Sequence, residues 1–186
     1  NTDGEKARMQ FDLILLSVGV MTFVIVVVMV IFTYVLIRFR RKKGDDSIPE
    51  QVEGSMKLEI TWTVIPIILL LIIIVPMVSQ IFFFADADPS AEEIEKEDAL
   101  KIEVIAHQYW WEFNYPDLGV STASDLSIPT DTKVYADITS DDVIHSFWAD
   151  ALFGKMDANP GLTNRMFFSA DEPGIHYGQC AELCGP

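Results

Sequence analysis

Cys180 and Cys184 stand four residues apart in the stretch QCAELCGP, with Glu182 between them, and no other cysteine occurs in the 186 residues. Whatever this pair does, it does with itself or with a metal. Three chemistries fit the spacing. Facing an oxidising compartment, the two thiols can close a disulfide. As thiolates they can serve a copper chaperone or redox protein, because thiolate and imidazole are ligands that copper favours. In a loop at the rim of a β-barrel, joined by an imidazole from an adjacent strand, they can hold copper permanently. His145 supplies a candidate imidazole: it sits in the strand-like run DVIHSFW, 35 residues before Cys180. His107 and His176 are read as structural, although His176 shares strand parity with Cys180.

Two other parts of the chain must position these residues. From Leu13 to Ile37 and from Ile60 to Phe84 no charged residue occurs, and each run is 25 residues long. At ~1.5 Å per helical residue, either run exceeds a ~30 Å hydrocarbon core, which predicts a two-helix transmembrane hairpin. The basic stretch RFRRKK follows the first run and the acidic stretch ADADPSAEEIEKED follows the second. The positive-inside bias then places residues 38–59 in the cytoplasm and both termini outside, and the membrane is expected to be the plasma membrane of a prokaryote. The expected organisation is an outside segment over 1–12, spans over 13–37 and 60–84, an acidic linker over 85–98, and an outside domain over 99–186.

Charge divides along the same line. Residues 1–84 balance 8 cations with 8 carboxylates, so the net −15 falls on residues 85–186, with 5 cations against 20 carboxylates. Such a surface repels nucleic acid and attracts cationic partners. Beyond the linker, short alternating or apolar stretches are broken by turn residues. Val134, Ala136 and Ile138 fall on one face of a strand, with Lys133, Tyr135 and Asp137 on the other. Several such strands without long amphipathic helices predict an all-β domain, a β-sandwich or a Greek-key barrel. Strand parity through HQYWWEFNY puts Tyr109 and Trp111 on one side and Trp110 on the other.

Taken together, AHQYWWEFNY, DVIHSFW, GKMDANPG and PGIHYGQCAELCG, preceded by two spans, resemble subunit II of the heme-copper cytochrome c oxidases from about Phe11 to Pro186. The resemblance implies a cupredoxin-like barrel carrying the dinuclear copper centre CuA. That centre takes electrons one at a time from cytochrome c, whether soluble, anchored or fused. It passes them to heme in subunit I, where O2 is reduced and protons are pumped. Cys180 and Cys184 then resemble the bridging thiolates and His145 a terminal imidazole. Glu182 resembles the residue whose carbonyl touches copper and whose carboxylate reaches a magnesium ion. Glu59, one residue before the second apolar run, resembles the entrance of a proton pathway into subunit I. The family's exposed tryptophan after His-Gln is replaced here by Tyr109, so electron input is expected at Tyr109 or Trp110, with Asp141 and Asp142 as donor-docking carboxylates. The family pattern continues past the second cysteine with a further histidine and methionine, and the natural protein is expected to supply them beyond Pro186. The alternatives are a quinol oxidase homologue without copper, a membrane-anchored copper chaperone, and a structural disulfide module.

Overall fold

A computed structural model of the chain describes residues 2–41, 44, 48, 51, 53–85 and 99–186. The acidic linker, apart from Ala85, and part of the 38–59 loop lie outside the described residues. Two helices come first, α1 (Glu5–Arg38) and α2 (Met56–Ala85), followed by eight strands. They form two compact units, one of residues 13–78 and one that joins the N-terminal residues through Asp12 to residues 79–186.

In the first unit the helices are apolar on all sides, and their Val, Ile, Leu and Phe side chains are exposed almost throughout. A helix with no polar face is stable where hydrocarbon or protein replaces water around it. Three hydroxyls bond within their own helix: Ser17 donates to the Leu13 carbonyl, Thr61 to the Lys57 carbonyl and Thr63 to the Glu59 carbonyl. Such local bonding lets polar residues sit in a span. Helix α2 runs on through Pro66 and Pro76.

The second unit holds two sheets. Strands β1 (Leu100–His107), β2 (Trp110–Tyr115), β3 (Val120–Ala123), β4 (Val134–Ser140) and β7 (Asn164–Phe168) make a five-stranded sheet in the order β3-β2-β1-β4-β7. Strands β5 (His145–Trp148), β6 (Met156–Ala158) and β8 (Gln179–Cys180) make a smaller one in the order β6-β5-β8. Ile102, Val104 and Ala106 of β1 meet Val134, Ala136 and Ile138 of β4 in the core, as the alternation requires. Phe147, Phe153 and Phe168 pack through that core as tilted rings, with centroids 5.2 and 4.4 Å apart.

Three features depart from the sequence expectations. Tyr135, on the opposite face of β4 from the main core, is buried as well, because Phe167, Phe83 and Ala99 cover it. The run HQYWWEFNY is not one strand: His107 pairs with Trp110, and Gln108 and Tyr109 make the turn between β1 and β2. That turn contains none of the usual turn residues, so parity counted across it does not hold. The N-terminal segment, in turn, is seated on the β unit. The amides of Asp3 and Gly4 donate to the Ala151 carbonyl, the Asp171 amide donates to the Asp3 carbonyl, and Arg8 pairs with Asp171. Gly4 lies so close to the Leu152 backbone that a Cβ would overlap it.

The aromatic core gives the first prediction. Truncating Phe153, which is 1% exposed, removes contacts with two rings at once. Phe153→Ala is expected to lower the unfolding free energy of the β unit by ~3–5 kcal/mol, read from denaturant unfolding of the full-length protein in detergent.

Candidate metal centre

Strand pairing assembles the site. Strand β8 lies antiparallel to β5, with Phe147 opposite Cys180, and the Ala181 amide donates to the Ser146 carbonyl. This register sets the cysteine loop against His145. The Cys180 Sγ lies 3.8 Å from His145 Nδ1, 4.0 Å from Cys184 Sγ and 3.7 Å from the Glu182 carbonyl oxygen. Donor atoms of His145, Cys180 and Cys184 all fall within 4.8 Å of one another. Both cysteines are free thiols.

The imidazole is buried and its orientation is fixed from behind. Asp142 Oδ1 accepts from His145 Nε2 at 2.7 Å, so Nε2 carries the proton and Nδ1 presents its lone pair to the thiols. A carboxylate behind an imidazole is the usual device for setting the tautomer of a metal-ligating histidine. Asp142 is itself held, accepting from the Val143 amide at 2.5 Å and from the Gln108 amide at 2.6 Å. Trp111 closes the other side of His145, edge-on at 6.0 Å.

Electrostatics acts differently on the donors. The bond to His145, opposed by desolvation and aided by the amides of Val143 and Gln108, holds the Asp142 carboxyl well below the usual range. Burial works against protonation of His145, but Asp142 and Cys180 outweigh it and raise its pKa. Burial likewise opposes ionisation of Cys180. Hydrogen bonds at Ser146, Glu182, His145 and Cys184 overcome it, so the Cys180 pKa is lowered. Cys184 moves the other way, raised by burial and by its neighbour Cys180. The first thiolate thus forms at Cys180. Two thiols, one imidazole and a backbone carbonyl make a soft donor set suited to copper, and unlike the all-oxygen cages of magnesium or calcium.

The remaining candidates separate clearly. Asp142 has both carboxylate oxygens engaged inside the site, whereas Asp141 projects outward with Oδ2 3.8 Å from His107 Nδ1. Tyr109 is 66% exposed and its hydroxyl donates to the Pro186 carbonyl, beside the cysteine loop. Trp110 is half-exposed and stacks on His107 at 4.3 Å. Glu182 is exposed, and its Oε1 accepts from the Leu183 amide. His176 stands apart from the cluster, with Nδ1 3.5 Å from Asp3. Glu59 belongs to the other unit, in the first turn of α2. Gln108 joins the site without having been singled out by its residue type: its side-chain amide donates to the Cys184 carbonyl, 76 residues away. Its only signal in the sequence is its place directly after His107.

The chain matches two profiles of one family. Residues 5–80 match "Cytochrome C oxidase subunit II, transmembrane domain" and residues 119–186 match "Cytochrome C oxidase subunit II, periplasmic domain". Cytochrome c oxidase subunit 2 of Alkalihalophilus pseudofirmus is 49% identical over 98% of this chain and 53% of its own length. Quinol oxidase subunit 2 of Bacillus spizizenii is 34% identical over 98% of this chain and 56% of its own length. Thus the chain spans about half the length of these relatives. Among solved structures, the periplasmic domain of subunit II of cytochrome oxidase from Bradyrhizobium japonicum aligns at 32% identity and a TM-score of 0.44, covering 47% of this chain and 75% of that one.

The Asp142–His145 pair generates a pH prediction for the metal-free protein. A raised histidine pKa stabilises the fold below its unfolded value of ~6.5, and that gain is lost as pH rises through the folded value. A depressed aspartate pKa stabilises above ~3.9, and that gain is lost as pH falls through the folded value. Both contributions are therefore present between about pH 4 and 6.5. Asp142→Asn should lower the melting temperature most within that window, and by NMR titration it should return the His145 pKa toward its ordinary value.

Proposed function

We propose that this chain, which belongs to the cytochrome c oxidase subunit II family, holds a dinuclear copper centre through which cytochrome c delivers electrons to the heme of subunit I. The observation that carries the reading is the convergence of Cys180, Cys184 and His145 at one loop, with the Glu182 carbonyl beside them. When bound, a copper pair shared by two thiolates supplies a site that takes and gives one electron with its charge spread over both metals.

The chain's own residues do the rest. Cys180 and Cys184 would bridge, His145 would ligate through Nδ1, and Asp142 keeps the proton on Nε2 so that Nδ1 stays available. Gln108 and Tyr109 tie the cysteine loop to the β1–β2 turn, which limits movement of the ligands as charge changes. Tyr109 and Trp110 offer exposed aromatic surface next to that loop for a donor heme, with Asp141 at its edge. The Glu182 carboxylate is exposed and would hold a magnesium ion at the boundary with subunit I. The two apolar helices cross the plasma membrane of a prokaryote, carry the β unit on the outer side and pack on subunit I. Glu59, at the cytoplasmic end of α2, passes protons into subunit I. A quinol oxidase subunit lacking copper would have no use for two free thiols and an oriented imidazole in one cluster.

Copper binding, proton uptake and donor docking each test this reading. Copper titration of the full-length protein should end at two equivalents per chain, with an electron-spin signal shared by both nuclei. Cys180→Ser should abolish that signal, and Asp142→Asn should weaken copper retention by ~10–100-fold. A wild-type endpoint at no copper, or with the thiols joined as a disulfide in the metal-loaded protein, refutes the reading. In the assembled oxidase, Glu59→Gln should slow steady-state turnover by about an order of magnitude or more while leaving reduction by the donor unchanged. Raising ionic strength from 0.1 to 1 M shortens the Debye length from ~10 to ~3 Å, so the second-order rate with a basic soluble cytochrome c should fall steeply.

A further inference from the structure

A neutral imidazole carries one N–H and can donate to one carboxylate only, whereas the protonated ring donates from both nitrogens. His107, the last residue of β1, stands between two carboxylates. Its Nε2 lies 3.2 Å from Glu112 Oε2, within hydrogen-bond distance, and its Nδ1 lies 3.8 Å from Asp141 Oδ2, just outside it. The two acids are held differently. Glu112 is braced in β2, where its Oε1 accepts from Asn114 Nδ2 at 3.0 Å. Asp141 sits in the turn between β4 and β5 with its side chain 76% exposed. The ring between them is 17% exposed and lies flat against Trp110, with centroids 4.3 Å apart and 9° between planes. The imidazole is therefore fixed, while the Asp141 carboxylate has room to swing.

The next acid along the turn is already engaged: Asp142 accepts from the amides of Gln108 and Val143 and from His145 Nε2. The nitrogens of His107 thus address Glu112 and Asp141, and the Trp110 face covers the ring. Histidine is the side chain that ordinarily changes charge between pH 5 and 8. With the ring neutral and its proton on Nε2, Glu112 is the acceptor and Asp141 stays a carboxylate presented to solvent. With the ring protonated, Nδ1–H finds its acceptor in Asp141 through a small rotation of that exposed side chain. The surface then gains a cation and loses an outward carboxylate in one step.

We propose that His107 is a specificity-determining residue for the electron donor: when protonated it draws Asp141 into an ion pair and withdraws that carboxylate from the surface around Trp110, so a basic donor docks on the neutral-ring form and is released from the protonated one. The inference rests on the reading of that surface as the donor-docking face. It does not involve copper ligation, since His107 is no part of the cluster formed by His145, Cys180 and Cys184.

The test uses the full-length protein in detergent at low ionic strength, with a soluble basic cytochrome c as the probe and calorimetry as the readout. Binding is read without electron transfer, so the outcome does not depend on copper. Between about pH 8 and pH 6 the wild-type affinity should fall at least ~3-fold more than that of His107→Gln. His145 and Asp142 are present in both proteins, so the difference isolates His107. His107→Arg, with its cation permanent, should bind weakly at both values. An equal pH response in wild type and His107→Gln overturns the proposal, as does His107→Arg binding as tightly as wild type does at pH 8. A second readout needs no variant: by NMR of the wild type, the Asp141 carboxyl carbon should shift over the same pH span as the His107 ring. A ring that titrates while that carboxyl signal stays still also overturns it. No binding of the cytochrome at either pH would sink the docking reading itself, and this inference with it.

Discussion

The antiparallel register of β8 on β5 is the constraint on which the site depends. Phe147 opposite Cys180 and the Ala181 amide on the Ser146 carbonyl place a two-residue strand where its cysteine meets an imidazole 35 residues earlier in the chain. A slip of one residue would turn the Cys180 side chain to the other face of the sheet, away from His145. That register is in turn held by the core under β5, where Phe147 packs between Phe113, Trp111 and Phe153. Core packing, rather than the loop itself, keeps the three donor atoms together.

A second layer of polar contacts converts proximity into a defined ligand set. Asp142 chooses the tautomer of His145, and is itself fixed by amides from its own turn and from the β1–β2 turn. Gln108 and Tyr109 then reach across to the carbonyls of Cys184 and Pro186. The β1–β2 turn therefore grips the centre at both the histidine side and the cysteine side. The two thiols shift in opposite directions: hydrogen bonds converge on Cys180 and lower its pKa, while burial and the neighbouring Cys180 raise that of Cys184.

Much of this is legible in the amino-acid sequence. The pairing of C-x-E-x-C with an upstream D-x-x-H-S names three donors that the fold does bring together, and the two charge-free runs mark both helices. Other features have no sequence signal. The grip of Gln108 on Cys184 links residues 76 apart. The Gln108–Tyr109 turn carries no glycine, proline or asparagine, so strand parity runs straight through it on paper and breaks in the fold. Asp142 reads as a surface carboxylate because its oxygens face inward only once the turn is formed. Helix α1 begins at Glu5, eight residues ahead of its apolar run, directly after Asp3 and Gly4, which are held by backbone bonds to Ala151 and Asp171 that periodicity cannot reveal.

In the proposed centre both thiolates would be shared by two metal ions. X-ray absorption at the copper edge of the full-length, copper-loaded protein tests it most directly. Sulfur is expected around every copper, together with a second copper as a near neighbour. Copper surrounded by nitrogen and oxygen alone, or coppers with no metal neighbour, would contradict it.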